Sequence, residues 1–131
     1  MEDRRAASDF MTPDPVVLTP EMAVHRAMRT LLENEISGAP VVDERGELVG
    51  ILTERDCLEV VFRASYHKEL GGSVADYMTR EVQTIEAEMD IVEVVELFFK
   101  SPYRRFPVLS GHQLVGQISR RDILRAVEEL W

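Results

Sequence analysis

The chain has 131 residues, of which 45% are hydrophobic and 30% are charged, a length and composition typical of one globular domain. Its net charge of −9 repels phosphate backbones, which disfavours general nucleic-acid binding. The single cysteine excludes an internal disulfide, and no apolar run approaches the about 18 residues that span a membrane. We therefore expect a cytoplasmic protein that binds neither nucleic acid nor membranes.

The first predicted elements are a short extended segment over 16–18 and a helix that begins after Pro20. Gly38 ends this helix, because glycine readily adopts the backbone angles found just beyond a helix end. The apolar residues of the helix recur at the spacing of one helix face, and they are Val24, Ala27, Met28, Leu31 and Leu32.

A strand hairpin and a second helix follow. The segment 40–42 leads through the turn-forming residues 43–46 into an apolar segment over 48–52, which predicts two antiparallel strands. The last helix of this series begins near Glu54. Four of its residues are expected to face the core: Cys57, Leu58, Val61 and Phe62.

The same series of elements occurs a second time in the chain. A shift of 67 residues places Met11-Thr12 on Met78-Thr79. After deletion of one residue in the hairpin turn, a shift of 66 places Leu48-Val49-Gly50 on Leu114-Val115-Gly116. Agreement of this kind along almost the whole chain predicts an internal repeat.

Two copies are predicted, over 10–65 and 77–131, joined by a linker over 66–76 that contains two glycines. Each copy has the order β-α-β-β-α, so the fold class is mixed α/β (α+β). A unit of about 55 residues is only marginally stable alone. We therefore expect the two copies to pack sheet against sheet, with pseudo-two-fold symmetry and the helices outside.

A hydroxyl residue and a carboxylate three positions later mark the start of the last helix in each copy. Thr53 and Asp56 do so in the first copy, and Ser119 and Asp122 in the second. This spacing is typical of a capping box with Asp in place of Glu or Gln. The same corner also suits an anion, because free N–H groups and the helix dipole favour negative charge. From the residues alone, both interpretations stay open.

Basic residues cluster near the second corner. Residues 100–125 contain six basic side chains and one acidic side chain. Arg104 and Arg105 precede the strand that the hairpin brings beside Ser119, whereas the first copy has Ser37-Gly38 at this position. Guanidinium groups suit phosphate recognition. The alternative is that the two arginines form salt bridges with the acidic remainder of the protein.

The two halves resemble CBS domains. The segments 36–43 and 48–56 are similar to the two signature stretches of that family, and 103–109 and 114–122 repeat them. The resemblance covers nearly the entire chain and is to the tandem CBS pair, often called a Bateman module, here as a stand-alone pair. It implies an adenosine-type nucleotide (AMP, ADP, ATP or a relative) as a regulatory ligand.

The resemblance also implies one ligand cleft at each corner. The Asp would hold the ribose, the hydroxyl residue and nearby arginines would contact phosphate, and the opening segment of the other copy would close the cleft around the purine. The second-corner cleft would contain Asp122, Ser119, Arg121, Arg104, Arg105, Thr12, Val16 and Ile36. The first-corner cleft would contain Asp56, Thr53, Arg55, Thr79, Val82 and Tyr103. Val16, Ile36 and Val82 suit a plain core position equally well.

The favoured function is therefore a regulatory, ligand-sensing module, and the alternative is a ligand-free protein-interaction or dimerisation scaffold. No nucleophile–base arrangement, metal-ligand spacing or phosphate-loop motif is present, so we expect neither an enzyme nor a metal site. The apolar helix faces exceed what one pair of sheets covers, which predicts a homodimer. The resemblance further implies an effector protein, which no motif identifies.

Overall fold

The computed structural model describes residues 5–67 and 71–130. The chain divides into a middle unit, Val16–Val82, and a terminal unit that joins the residues up to Pro15 with those from Gln83 onward. The described elements, in chain order, are α1 (Ala7–Phe10), β1 (Thr12–Pro13), α2 (Val24–Glu33), β2 (Gly38–Val42), β3 (Leu48–Thr53), α3 (Glu54–His67), α4 (Val74–Tyr77), β4 (Ile85–Glu86), α5 (Ile91–Lys100), β5 (Arg105–Ser110), β6 (Gln113–Ser119) and α6 (Arg120–Leu130).

The middle unit is built on the β2–β3 hairpin. The two strands are antiparallel, with Gly38 opposite Thr53. Asp43 orders the turn, because its carboxylate accepts hydrogen bonds from the N–H groups of Arg45 (2.9 Å) and Glu47 (3.0 Å). The core of the middle unit consists of fully or nearly fully buried apolar residues, which are Leu18, Val24, Ala27, Leu31, Ala39, Val41, Leu52, Val60, Val74 and Met78.

The terminal unit contains a four-stranded sheet in the order β1-β6-β5-β4. Strands β5 and β6 form an antiparallel hairpin, β4 runs parallel to β5, and β1 pairs antiparallel with the outer edge of β6. The rings of Phe98 and Phe106 pack with centroids 4.6 Å apart. The start of the chain thus contributes a strand to the second copy of the repeat.

The mixed α/β fold with two repeats is confirmed, and two predicted segments differ in detail. Over 16–18 only Leu18 pairs, by an isolated parallel bridge to Val41. In the predicted linker, helix α4 begins at Val74, where Asp76 accepts a hydrogen bond from the Ser73 N–H and caps the helix. Val74 itself is fully buried in the core of the middle unit. Residues 68–70 of the linker lie outside the described residues.

The predicted inward face of α3 is wrong for three of its four residues. Leu58, Val61 and Phe62 are exposed, whereas Val60 is buried and Cys57 is half-buried. The side of α3 that packs on the unit carries Cys57 and Val60, which are three residues apart on one face. The apolar residues of α3 cover more than that face, so sequence spacing alone placed Cys57 correctly but not the other three residues. Leu32 of α2 and Phe99 of α5 are exposed for the same reason.

Candidate functional site

The corner between β6 and α6 carries a complete capping box. The backbone N–H and the hydroxyl of Ser119 both donate to Asp122 Oδ2, at 2.8 and 2.9 Å. In return, the Asp122 N–H donates to Ser119 Oγ at 3.1 Å. The capping interpretation of this spacing is therefore realised, and it fixes the carboxylate at the first turn of the helix.

The second oxygen of the Asp122 carboxylate receives two further donors. Thr12 Oγ1, from the opening segment of the chain, donates to Oδ1 at 3.0 Å, and Arg125 Nη1 lies at 3.4 Å. Only 10% of the Asp122 side chain is exposed. Four donors match the about four lone-pair positions of a carboxylate. The longest of the four contacts is that of Arg125, whose side chain is exposed.

The corner between β3 and α3 repeats this arrangement without the cation. Asp56 Oδ2 accepts hydrogen bonds from the N–H (2.9 Å) and the hydroxyl (3.0 Å) of Thr53. Thr79 Oγ1 lies 3.3 and 3.4 Å from the two carboxylate oxygens. The repeat position of Arg125 is occupied by Glu59, which pairs with Arg63 instead (3.5 Å).

The predicted arginines lie at the β6–α6 corner. Arg105 is directly opposite Ser119 in the β5–β6 register, and the exposed Arg104 precedes it. Arg121 is exposed in the first turn of α6, as Arg55 is in that of α3. The β5–β6 register thus places Arg105 beside Ser119 in the terminal unit, and that these arginines bind a ligand there stays a prediction.

The remaining predicted site residues belong to the units as follows. Val16, Ile36 and Val82 are half-buried in the middle unit, and Ile36 packs against its core. Tyr103 belongs to the terminal unit, where its ring meets that of Phe106 edge-on at 6.2 Å. That Val16 and Ile36 face Asp122, and that Tyr103 faces Asp56, stays a prediction.

Two features of the corners escaped the sequence reasoning. The first is Arg125, which the three-residue spacing from Asp122 in a helix could have indicated. The second is the close approach of the opening segments to a repeated glycine. A Cβ on Gly116 would lie 2.8 Å from the carbonyl oxygen of Thr12, and one on Gly50 would lie 2.8 Å from that of Thr79. Only glycine lets these backbones meet without displacement.

The β3–α3 corner also carries the chain's single thiol, that of Cys57. Partial burial raises the pKa of the Cys57 thiol, and the neighbouring carboxylates of Asp56 and Glu54 raise it further. The thiol is therefore protonated at neutral pH.

Within 5–67 and 71–130, no group of three or more His, Cys, Asp or Glu side chains could hold a metal ion. In the same residues, no helix combines the length and apolarity needed to cross a bilayer.

Comparison with known proteins decides the family. The model of the CBS domain matches residues 7–63 and 74–129, which is most of the chain and both copies of the repeat. The chain belongs to the CBS domain family. The corner carboxylates and the opening Met-Thr segments are therefore features of a tandem CBS pair.

Relatives of this CBS pair differ in length and in what they do. An uncharacterised 17.7 kDa protein of Acidianus ambivalens is 26% identical over 121 residues, which are 92% of this chain and 71% of that protein. Inosine-5'-monophosphate dehydrogenase of Thermoplasma acidophilum is 37% identical over 113 residues, 85% of this chain but only 21% of the enzyme. The chain spans less than half the length of several other relatives.

Among solved structures, the CBS-pair protein CBSX2 of Arabidopsis thaliana in complex with AMP has the same fold. Its TM-score is 0.83 at 26% identity, and the match covers 95% of this chain and 97% of that one. The ligand is a property of CBSX2. The matched relatives thus include both a CBS pair and the CBS part of an enzyme.

Proposed function

We propose that this chain is a regulatory module that binds an adenosine nucleotide (AMP, ADP, ATP or a relative) between its CBS copies. The observation that carries the proposal is the Asp122 corner, where a fixed carboxylate and several arginines share one edge of the terminal unit. The AMP complex of CBSX2 supports the choice of ligand. No catalytic step is assigned to the chain.

Each part of the nucleotide meets a matching chemistry in this proposal. The Asp122 carboxylate accepts the ribose hydroxyls. Ser119 and the α6 N-terminus, with Arg104, Arg105 and Arg121, hold the phosphates. At this site, the purine lies between the apolar side chains of Val16 and Ile36. At the site of Asp56, the purine lies beside Val82 and Tyr103. The other ligand contacts of that second site are Thr53, Arg55 and Thr79.

The proposal extends to assembly and cellular setting. Exposed apolar side chains on α2, α3, α5 and α6 support a homodimer, since large solvated apolar patches mark interaction surfaces. The ligand shifts the module between two conformations because it binds them with different affinity. An effector protein then responds to the conformation that the ligand favours. A cytoplasmic location stays a prediction from the single cysteine.

Thermal unfolding with a nucleotide panel tests the ligand class. AMP, ADP, ATP and adenosine are compared with GMP and with buffer alone. A ligand at about 100 times its dissociation constant adds about 2.7 kcal/mol to the free energy of unfolding, and native mass spectrometry then gives its stoichiometry. A protein whose unfolding ignores every nucleotide at millimolar concentration is a ligand-free scaffold, which would contradict the proposal.

A further inference from the structure

The Asp122 carboxylate is fully occupied by donors of its own unit. Ser119 fills both positions of Oδ2 with its N–H and its hydroxyl, at 2.8 and 2.9 Å. Thr12 Oγ1 and Arg125 Nη1 fill those of Oδ1, at 3.0 and 3.4 Å. A carboxylate has about four lone-pair positions. Each ribose hydroxyl that binds to this carboxylate must therefore take the place of one of the four donors.

Two of the four donors can leave while the backbone around them stays in place. The Ser119 hydroxyl can rotate away from Oδ2, because the N–H of the same residue still donates to Asp122. Arg125 has the longest contact, and 58% of its side chain is exposed, whereas Thr12 is held by the pairing of β1 with β6. Departure of the Ser119 hydroxyl and of Arg125 vacates one position on each oxygen. Two positions are the number that the two hydroxyls of a ribose need.

Arg125 is the donor that distinguishes this corner from the other one. Its repeat equivalent is Glu59, which pairs with Arg63 at 3.5 Å. Glu129, exposed and four residues after Arg125 in α6, lies at a spacing at which the released guanidinium can find another carboxylate. An ion pair with an exposed member contributes little to stability and is weakened by salt. The contact of Arg125 with Asp122 is therefore easily broken, and its strength depends on ionic strength.

We infer that Arg125 controls access to the ribose acceptor of the Asp122 corner: it occupies Oδ1 in the unliganded chain and is displaced by a ribose hydroxyl. This inference rests on the proposed function and adds a residue that regulates the same site. The competition raises the dissociation constant of every ribose-containing ligand by the strength of one such ion pair, about two- to fivefold. Salt acts on the two ends of a nucleotide in opposite directions, because it weakens the contact of Arg125 with Asp122 as well as the contacts of arginine with phosphate.

Calorimetry with adenosine tests the competition, since adenosine carries the ribose without a phosphate. The parent chain for these measurements is Asp56→Ala, which lacks the proposed ribose acceptor of the other corner. Arg125→Met in this chain nearly keeps the length of the side chain and removes its charge and its donors. We expect Arg125→Met to bind adenosine about two- to fivefold more tightly than the parent chain. Arg125→Lys retains a cation, so its dissociation constant should lie between the two.

A salt titration separates the charge of Arg125 from its size. Between about 10 mM and about 1 M NaCl the Debye length falls from about 30 Å to about 3 Å. The adenosine affinity of the parent chain should therefore approach that of Arg125→Met, which gives the salt response of purine burial alone. Lys100→Met is the matched control, because it removes a cation from an exposed position of the same unit outside the proposed ligand contacts. Its adenosine affinity and salt response should equal those of the parent chain.

The possible results distinguish this inference from the proposed function. Equal adenosine affinities of the parent chain and Arg125→Met at every salt concentration would overturn the inference, and so would weaker binding by Arg125→Met, which would make Arg125 a direct ligand contact. In both cases AMP binding that is lost in Asp122→Ala retains the proposed function. If Arg125→Met does not fold, Arg125→Gln should shift the adenosine affinity in the same direction by a smaller factor. A wild-type chain that binds neither adenosine nor AMP at millimolar concentration overturns the proposed function and the inference together.

Discussion

Asp122 combines a local and a long-range role through its two oxygens. Oδ2 caps α6 together with Ser119, within three residues of the chain. Oδ1 accepts the hydroxyl of Thr12, which is 110 residues away. The same carboxylate therefore holds the helix terminus and the opening segment. Any ribose that binds here must exchange with one of these donors, and the Arg125 contact is the longest of them.

Asp122→Ala should therefore affect stability and ligand binding separately. Loss of the cap should lower the free energy of unfolding by about 1 kcal/mol. Loss of the ribose acceptor should weaken AMP binding about tenfold or more, equivalent to about 1.4 kcal/mol. Denaturant unfolding and calorimetry measure the two effects. The matched control is Asp56→Ala, which removes the same cap in the other copy and should leave AMP binding at the Asp122 site intact. Unchanged AMP affinity in Asp122→Ala would make this residue only a cap.

Cys57 gives a pH-dependent prediction. Burial, with Asp56 and Glu54, raises the pKa of its thiol in the folded state above the about 8.5 of an unfolded cysteine. The folded state thus keeps its proton where the unfolded state loses it. The stability contribution is fully present below pH about 8.5 and is lost as pH rises through the folded pKa. The wild type should lose more stability than Cys57→Ser between pH 8 and 10, and iodoacetamide should alkylate the folded protein more slowly than the unfolded chain. Equal alkylation rates would contradict the shift.

At the scale of elements, the opening segments are inserted against the hairpins. Strand β1 pairs with β6, and Thr79 exchanges two backbone hydrogen bonds with Ile51 of β3, at 2.8 and 2.9 Å. Each insertion crosses a glycine of the hairpin's second strand, Gly116 or Gly50. The repeated Leu-Val-Gly of the sequence thus has a packing reason, which is the space that the crossing backbone needs.

Gly116→Ala tests this close approach. The new methyl group would lie 2.6 Å from Met11 Sδ and 2.8 Å from the Thr12 carbonyl oxygen. The methionine can move, but the backbone must shift as well, so we expect a loss of about 1–3 kcal/mol in the free energy of unfolding. Gly71→Ala is the control, because a Cβ there has no neighbour within 4 Å. If both variants unfold at the same denaturant concentration, the approach is not tight.

At the scale of the whole molecule, the two copies share one architecture and differ in charge. The Asp122 corner has Arg104, Arg105 and Arg125 in its own unit, whereas Glu59 stands at the repeat position of Arg125 beside Asp56. Under the proposed function, this charge difference would favour phosphorylated ligands at the Asp122 corner.

This asymmetry predicts one tighter nucleotide site per chain, at Asp122. Arg104→Ala combined with Arg105→Ala should bring AMP affinity close to that of adenosine, because the phosphate loses its cations. Ser37→Ala changes the residue equivalent to Arg104 in the first copy and should leave the difference unchanged. In the wild type, AMP affinity should fall gradually with salt, over a Debye length of about 8 Å at physiological ionic strength. Calorimetry that finds two equal sites would contradict the assignment.

Much of the fold could be predicted from short-range patterns. The helix over 24–33 and the hairpin 38–53 follow from local spacing and turn chemistry, and the structure has both. The buried side of α3 could not be predicted, since Val60 and Phe62 are equally apolar in sequence. Burial depends on where the sheet lies beneath the helix. The position of Arg125 on Asp122 was missed because a three-residue spacing in a helix permits a contact without requiring it.

The sequence by itself determined the repeat and its element order, because these depend on local patterns or on identity between the copies. The three-residue spacing of Ser119 and Asp122 favoured a capping box but left an anion site open, and the structure shows the capping hydrogen bonds. Only the tertiary structure decided that Thr12 reaches Asp122 and that Thr79 reaches Asp56. Their separation in sequence sets no geometry, whereas the pairing of β1 with β6 positions Thr12 and the bridge to Ile51 positions Thr79. The tertiary structure also decided which apolar residues are exposed to solvent, because a helix buries only the side that a sheet covers.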